Sequence, residues 1–183
     1  MRRKTAKEVL AESFREIAES KNIDKITVKD ITENCGYSSA TFYRQFRDKY
    51  DLIAWDYTRD VESILSGVDG RKEEWQRTLL GAARFFNERK AYLANLLLHT
   101  SGFESFVTYM QEINYKSLKS IMEKVPSGLP IDRVTEMLVR AYVLGTVQFT
   151  CGWILGQYEA TPEELATVYE LALPMTLQKY FSE

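Results

Sequence analysis

The spacing of apolar residues is helical in every long segment of this chain of 183 residues. Between residues 5 and 19, one face is rich in Lys and Glu, and the other carries an apolar stripe of Val9, Leu10, Phe14 and Ile17. No segment alternates apolar and polar residues with the β-branched enrichment that is typical of strands. The sequence therefore predicts an all-α fold of about nine helices.

Two very short helices are predicted between residues 27 and 46. Thr27 is a suitable N-cap for the first, and Gly36 is a residue that commonly ends a helix. Ser38 offers a new N-cap two residues later, and the second helix continues to about Phe46. Two short helices separated by about three residues form a helix-turn-helix, in which the second helix enters the major groove of DNA.

The basic residues are concentrated at the N-terminal end. Residues 1–50 contain 11 Lys and Arg against 8 Asp and Glu, whereas residues 51–183 contain 13 against 18. The excess favours a polyanion partner for the N-terminal end, although a solvated basic face would give the same counts. Arg2, Arg3 and Lys4 would form either a minor-groove arm or a disordered basic tail.

Three segments carry a resemblance to a known family: Thr27 to Ile31, Gly36 to Phe46, and Asp48 to Leu52. Together they resemble the DNA-binding domain of the TetR family over about residues 5–55. The resemblance implies a sequence-specific regulator that binds double-stranded DNA as a homodimer. Its expected action is repression at a palindromic operator, with release by a small ligand or a partner protein.

The resemblance also implies roles for individual residues. Phosphate contacts are expected from Thr27, Tyr43 and Lys49, and base contacts from Ser39, Ala40 and Arg44, with Lys29 reaching in from the preceding helix. Ser38 and Thr41, at the start of the second helix, complete the predicted DNA-binding set. The alternative for Lys29 and Arg44 is a solvated surface charge, and for Tyr43 a half-buried core residue with an exposed hydroxyl. Tyr37 and Gln45 depart from the usual pattern, so the operator sequence does not follow.

The predicted DNA-binding domain covers residues 1–50, and a larger regulatory and dimerisation domain covers residues 51–183. A linker is expected at residues 125–130, then a long helix to about Tyr158 and a last helix kinked at Pro174. Members of the TetR family dimerise through their last two helices. The predicted interface is Gly145, Phe149, Gly152, Trp153 and Gly156, although these glycines could serve packing within one chain instead.

Aromatic residues in the larger part could line a ligand pocket. The residues predicted for it are Trp55, Trp75, Phe86, Phe106 and Tyr109, and at helical spacing they are equally compatible with ordinary core. The stretch from Phe85 to Arg89 and the later Gly152-Trp153 resemble the regulators of dihydroxyacetone kinase. Those proteins work with a partner protein, so the alternative function is that of a co-activator acting with such a partner.

Other classes of function lack their usual signals. His99 is the single histidine, the chain contains two cysteines, and no phosphate-binding glycine loop or nucleophile elbow occurs. We therefore expect no enzyme activity, no metal site and no cofactor. No apolar run is long enough to span a bilayer, and residues 1–20 lack the pattern of a signal peptide. The expected location is the cytoplasm, without membrane attachment.

Overall fold

The computed structural model describes residues 4–102, 105–125 and 129–181. These residues form ten α-helices and no β-strand, which confirms the predicted all-α class. The helices are α1 (Ala6–Ala18), α2 (Val28–Asn34), α3 (Ser39–Tyr43), α4 (Lys49–Leu65), α5 (Lys72–Glu88), α6 (Lys90–His99), α7 (Phe106–Lys124), α8 (Arg133–Ile154), α9 (Pro162–Ala172) and α10 (Met175–Gln178). Short 3₁₀ turns follow α1 at Ile23–Lys25 and α10 at Lys179–Phe181. Arg2, Arg3 and the centre of the expected linker, residues 126–128, lie outside the described residues.

The N-terminal helices start where the sequence offers caps. Thr5 and Thr27 each form a capping box at the start of α1 and α2, accepting from the N–H groups of Glu8 and Asp30. Asp48 caps α4 by accepting hydrogen bonds from two backbone N–H groups. These local signals explain why the helix boundaries in this region could be predicted.

The last helices differ from the prediction in two places. Pro174 does not kink a continuous helix: α9 ends at Ala172, and Pro174 stands immediately before a separate α10. Because the residue before a proline is pushed towards extended backbone, Leu173 has ψ 119° and stops the helix. This break accounts for a tenth helix.

Helix α4 connects the two predicted domains. It contacts α1 on one side, and α5 and α7 on the other, while α5 packs on α9 and α7 on α8. The predicted boundary at residue 50 lies in the first turn of α4. No described helix is both long and apolar enough to cross a membrane.

Candidate nucleic-acid interface

The turn between α2 and α3 depends on Gly36, which has φ 71°. The N–H of Tyr37 donates to the carbonyl of Thr32 at 2.9 Å, and the N–H of Gly36 donates to Glu33 at 3.3 Å. This pair of bonds is the Schellman arrangement, in which the left-handed residue is usually glycine. Gly36 therefore ends α2 and redirects the chain into α3.

The start of α3 is fixed by a small hydroxyl network. The Ser38 hydroxyl accepts the N–H of Thr41 at 3.2 Å, and the two hydroxyl oxygens lie 3.1 Å apart. A guanidinium N–H of Arg44 donates to the Thr41 hydroxyl at 3.2 Å. Ser38 and Thr41 thus stabilise the helix end and hold the side chain of Arg44 against it.

Two aromatic residues, Phe42 in α3 and Phe46 shortly after it, anchor this segment. Phe42 and Phe46 are buried, and the Phe46 ring meets Trp55 of α4 at 5.7 Å between centroids. The ammonium group of Lys7 on α1 lies over both the Phe46 and the Trp55 rings. This cluster holds α3 against α1 and α4.

The outer face of α3 is open to solvent. Ser39, Ala40, Tyr43 and Arg44 are all exposed. Tyr43 is 60% exposed and packs edge-on against Phe42 at 5.5 Å, so its ring is supported while its hydroxyl end remains accessible. The structure therefore places four of the predicted DNA-binding residues together on one face.

Thr27 and Lys29, on the neighbouring α2, are exposed but have local partners. The hydroxyl and the N–H of Thr27 both donate to the Asp30 carboxylate, at 2.8 and 2.7 Å. The ammonium group of Lys21, with these bonds from Thr27, lowers the pKa of Asp30 well below its usual range. The ammonium group of Lys29 lies 3.6 Å from the carboxylate of Glu33. A phosphate contact from Thr27 would have to replace its bond to Asp30, so this contact stays a prediction.

Lys49 has a structural role that the sequence does not reveal. Its ammonium group donates to the carbonyls of Ile23 and Ile26 at 2.8 Å each, and to that of Asp24 at 3.1 Å. Three donors on one ammonium thus engage the 3₁₀ turn that follows α1. Lys49 joins the start of α4 to this turn, and its predicted phosphate contact would compete with these bonds.

Arg47 is a residue of this surface that the sequence prediction omits. Its side chain is 84% exposed, and its nearest carboxylate, that of Asp51, is 4.0 Å away. It lies between Phe46 and Asp48, in the loop that joins α3 to α4. The available signal was a basic residue that directly follows the last buried aromatic residue of the motif.

Comparison with known proteins identifies this arrangement. The sequence profile described as "Bacterial regulatory proteins, tetR family" matches residues 9–54, and the profile "Transcriptional regulator C-terminal region" matches residues 73–172. The chain belongs to the TetR family of transcriptional regulators. The first profile runs from Val9 in α1 to Ala54 in the second turn of α4 and includes every predicted DNA-binding residue.

Individual TetR-family relatives share only low sequence identity with the chain. The HTH-type dhaKLM operon transcriptional activator DhaS of Lactococcus lactis subsp. lactis (strain IL1403) is 24% identical over 98 residues, which is 54% of this chain and 52% of the relative. The match thus spans about half the length of that protein. This relative belongs to the group of regulators that the sequence resembles.

Solved structures share the fold over nearly the whole chain. A dihydroxyacetone kinase operon activator DhaS superposes with a TM-score of 0.64 and 18% identity, covering 97% of this chain and 98% of the other. A TetR regulator from Rhodococcus sp. RHA1 gives 0.62 and 15%, covering 92% and 94%. The TetR family repressor AlkX from Dietzia sp. strain DQ12-45-1b gives 0.57 and 14%, covering 95% and 98%. At these identities, the likeness shows the TetR fold.

The family to which the chain belongs is a family of transcriptional regulators. His99 ends α6, and its Nδ1 atom lies 3.5 Å from the carboxylate of Asp24, which also pairs with Lys25 at 3.0 Å. Within residues 4–102, 105–125 and 129–181, no group of three His, Cys, Asp or Glu side chains could hold a metal ion.

The C-terminal half of this TetR-family chain contains a cavity of about 100 Å³ between α4, α5, α7, α8 and α9. Of the five predicted pocket residues, Trp75 and Phe86 line it. Trp55, Phe106 and Tyr109 do not line this cavity, and their role in ligand binding stays a prediction. Trp55 packs towards α3, and Phe106 is fully buried edge-on to Tyr57 at 5.2 Å. Tyr109 lies on α7 away from the lining positions.

The predicted course of the long helix is wrong at its C-terminal end. Helix α8 ends at Ile154 and not near Tyr158. Gly156 has φ 72°, and the N–H groups of Gly156 and Gln157 donate to Trp153 and Gly152, which forms a second Schellman arrangement. Gly156 therefore lies beyond the helix and does not share a face with Gly145 and Gly152.

Gly152 and Trp153 take part in packing and hydrogen bonding within the single chain. A Cβ atom on Gly152 would lie 2.8 Å from the Tyr158 ring, so the glycine permits the loop after α8 to fold back. Trp153 is 1% exposed and donates its indole N–H to the carbonyl of Ala160 at 2.9 Å. Of the five residues predicted for the dimer interface, Gly145 and Phe149 remain on the outer side of α8, where they border a surface groove with Val168.

The outer sides of α8 and α9 form an exposed apolar face. Its members, all large apolar residues with substantial exposure, are Val134, Met137 and Leu144 on α8, Val168 and Leu171 on α9, and Met175 at the start of α10. The α8 members are spaced by three and seven residues, which places them on one side of the helix. We call this set the α8–α9 face.

Proposed function

We propose that this TetR-family regulator is a dimeric, cytoplasmic repressor that binds a palindromic operator through α3 and is released by a small ligand in its C-terminal half. One observation carries the proposal: Ser39, Ala40, Tyr43 and Arg44 form an exposed face of α3. That face rests on the buried rings of Phe42 and Phe46. Residues 1–50 would thus form the DNA-binding domain, and residues 51–183 the regulatory and dimerisation domain.

The chemistry of this face suits the major groove. Ser39 and Ala40 are small, so the helix can approach base edges closely, and Arg44 carries the donor pair that best matches guanine. Tyr43 presents a hydroxyl donor for a phosphate oxygen, a contact that positions the helix without reading sequence. Arg47 and Lys29 add exposed positive charge beside it.

The dimer is proposed to form through the α8–α9 face. Two helices from each chain would then make a four-helix interface, with Leu144 and Gly145 near its middle. A two-fold dimer presents two copies of α3, and one turn of DNA separates half-sites by about 34 Å. The operator is therefore expected to be palindromic.

Release of DNA would follow from movement of α4 or α6 relative to α1. The cavity is bounded by α4. Asp56 on α4 accepts a hydrogen bond from α1, and Asn95 on α6 is hydrogen-bonded both to the end of α1 and to the turn after it. A ligand that binds one arrangement of these helices better than another shifts the population towards it. The position of α3, which rests on α1 and α4, would change with it.

DNase footprinting on the DNA next to the encoding gene tests this proposal, together with transcription of the same fragment in vitro. We expect protection of a palindrome that overlaps the promoter, and less transcript as protein is added. Because each phosphate contact releases counterions, affinity should fall steeply with salt. The proposal fails if the folded dimer protects no site, or if its binding is insensitive to salt.

An activator that works with a partner protein is the second candidate. The likeness to the operon activators named DhaS favours it. In that case the footprint would lie upstream of the promoter, and transcript would rise only when a second protein is added. The same footprinting and transcription experiment therefore distinguishes the two functions.

A further inference from the structure

Most basic side chains of residues 4–50 already have a partner within the chain. Five of them form ion pairs of 3.6 Å or less: Lys4 with Glu12, Arg15 with Asp56, Lys21 with Asp30, Lys25 with Asp24, and Lys29 with Glu33. Lys7 lies over two aromatic rings, and Arg44 donates to the Thr41 hydroxyl. A DNA phosphate that approaches one of these side chains has to replace its partner or share it. The basic residues at the junction of α3 and α4, Arg47 and Lys49, differ sharply from each other.

The ammonium group of Lys49 is committed to the turn after α1. A lysine has three N–H donors, and those of Lys49 are matched by three backbone carbonyls, at 2.8 Å from Ile23, 3.1 Å from Asp24 and 2.8 Å from Ile26. Ile23 and Ile26 are themselves buried. Turning this ammonium group towards a phosphate would break three hydrogen bonds from a charged donor, each of which stabilises the fold.

Arg47 carries the least compensated positive charge of the domain. Its side chain is 84% exposed, and the nearest carboxylate oxygen, Oδ2 of Asp51, lies 4.0 Å from its Nε atom. That oxygen already accepts the backbone N–H of Arg47 at 3.0 Å. Among the residues that the structure describes, none accepts a hydrogen bond from the guanidinium group. Its five N–H donors can therefore bind an anion without breaking a bond inside the protein.

The backbone that carries Arg47 is held on both sides. Phe46 before it is 3% exposed, and Asp48 after it caps α4 by accepting the N–H groups of Tyr50 and Asp51 at 2.9 and 2.8 Å. Both carboxylates of this junction, Asp48 and Asp51, are thus used as acceptors by backbone N–H groups. Arg47 starts from a fixed position beside the N-terminus of α4, where the helix dipole adds positive potential.

We infer that Arg47 binds a phosphate of the DNA backbone next to α3, whereas the ammonium group of Lys49 stays on the turn after α1 and does not contact DNA. The inference rests on the proposed function, in which α3 occupies the major groove. It departs from the family resemblance, which assigns the phosphate contact to Lys49. A guanidinium donates two parallel hydrogen bonds to a phosphate, so the contact fixes the orientation of the protein as well as holding it.

The salt dependence of DNA binding by the full-length protein tests this assignment. Because each phosphate contact releases counterions, the logarithm of the affinity falls with the logarithm of the salt concentration in proportion to the number of contacts. Arg47→Met removes one contact from each subunit, so the slope for a dimer should become shallower by about two. At about 150 mM salt, binding should weaken at least about tenfold. The loss should be equal for a palindrome selected from random DNA and for its scrambled duplex, since a phosphate contact does not read sequence.

Three further variants separate a phosphate contact from a loss of charge or of stability. Arg47→Lys keeps the charge and should restore most of the slope. Lys49→Met should keep the wild-type slope, and Lys49→Gln gives the same comparison if the methionine variant does not stay folded, because its amide can still donate to the turn. Arg77→Met is the matched control: it removes the same charge from a side chain that is 72% exposed on α5, and the slope should not change.

The inference is overturned if Arg47→Met keeps the wild-type slope, or if Arg47→Lys is as shallow as Arg47→Met. It is also overturned if the folded Lys49 variant makes the slope as shallow as Arg47→Met does. Failure of the proposed function has a different signature, because the wild-type protein would then bind neither duplex or bind both without dependence on salt. The two failures are told apart by the wild-type titration alone.

Discussion

Arg15 of α1 and Asp56 of α4 form a two-point ion pair: the Arg15 Nε atom donates to Asp56 Oδ2 at 2.6 Å, and a terminal N–H donates to the other oxygen. Asp56 is 2% exposed. Asp60 extends the cluster by accepting from Arg15 at 3.4 Å and from Arg89 at 2.7 Å. The first helix is thereby tied to the helices that surround the cavity.

Removing Arg15 should destabilise the protein strongly. Arg15→Met leaves the Asp56 carboxylate buried without its main partner, and we expect a loss of about 3 kcal/mol in the free energy of unfolding, measured with urea. Arg15→Met combined with Asp56→Leu removes both charges and should recover part of that loss. If the double variant loses as much unfolding free energy as Arg15→Met and Asp56→Leu lose together, this account of the pair is contradicted.

Lys49→Met should lower stability even in the absence of DNA. The substitution removes three hydrogen bonds from a charged donor to the turn after α1, and a loss of about 2 kcal/mol is expected in the same unfolding measurement. Lys25→Met is the control, because the Lys25 side chain is 72% exposed and pairs with the neighbouring Asp24. Equal stability of the two variants would show that the role of Lys49 lies in DNA contact alone.

Asn95 on α6 should be needed to hold the end of α1. Its amide N–H groups donate to the carbonyls of Ala18 and Lys21 at 2.9 and 3.0 Å, and its oxygen accepts the N–H of Ile23 at 3.1 Å. Asn95→Leu leaves these backbone groups without their partner and should cost about 2 kcal/mol of unfolding free energy. Asn87→Leu, at an exposed position of α5, should change it little.

Leu144→Glu should convert the dimer into a monomer. Leu144 is 49% exposed in the single chain and lies on the α8–α9 face, where an interface would bury the introduced charge. Sedimentation velocity at micromolar concentration measures the change. Leu98→Glu is the matched control, because Leu98 is 65% exposed on α6, away from this face. A dimer that survives Leu144→Glu and dissociates with Leu98→Glu would place the interface elsewhere.

The helix-turn-helix could be predicted because its signals are local. Thr27, Gly36 and Ser38 act on their own backbone within three or four residues, so sequence alone fixes where α2 ends and α3 begins. The role of Lys49 could not be predicted in the same way. Its acceptors are 23 to 26 residues away, and nothing in the sequence shows that this turn comes within reach of α4.

The C-terminal half was harder to predict because one local feature changes the positions of others. Gly145, Gly152 and Gly156 share a face only if the helix continues, and the left-handed conformation of Gly156 ends it first. For the cavity, aromatic residues at helical spacing do not reveal which side they face. Trp55 and Trp75 look alike in sequence, yet one packs on α3 and the other lines the cavity.

The affinity for DNA tests the central claim most directly. A palindrome obtained by selection from random DNA and the same duplex with both half-sites scrambled are titrated by fluorescence anisotropy at about 150 mM salt. We predict binding to the palindrome at least roughly a thousandfold tighter, and a uniform weakening with Tyr43→Phe as phosphate contacts are lost. Equal affinity of the folded dimer for both duplexes would contradict the claim that the exposed face of α3 reads DNA.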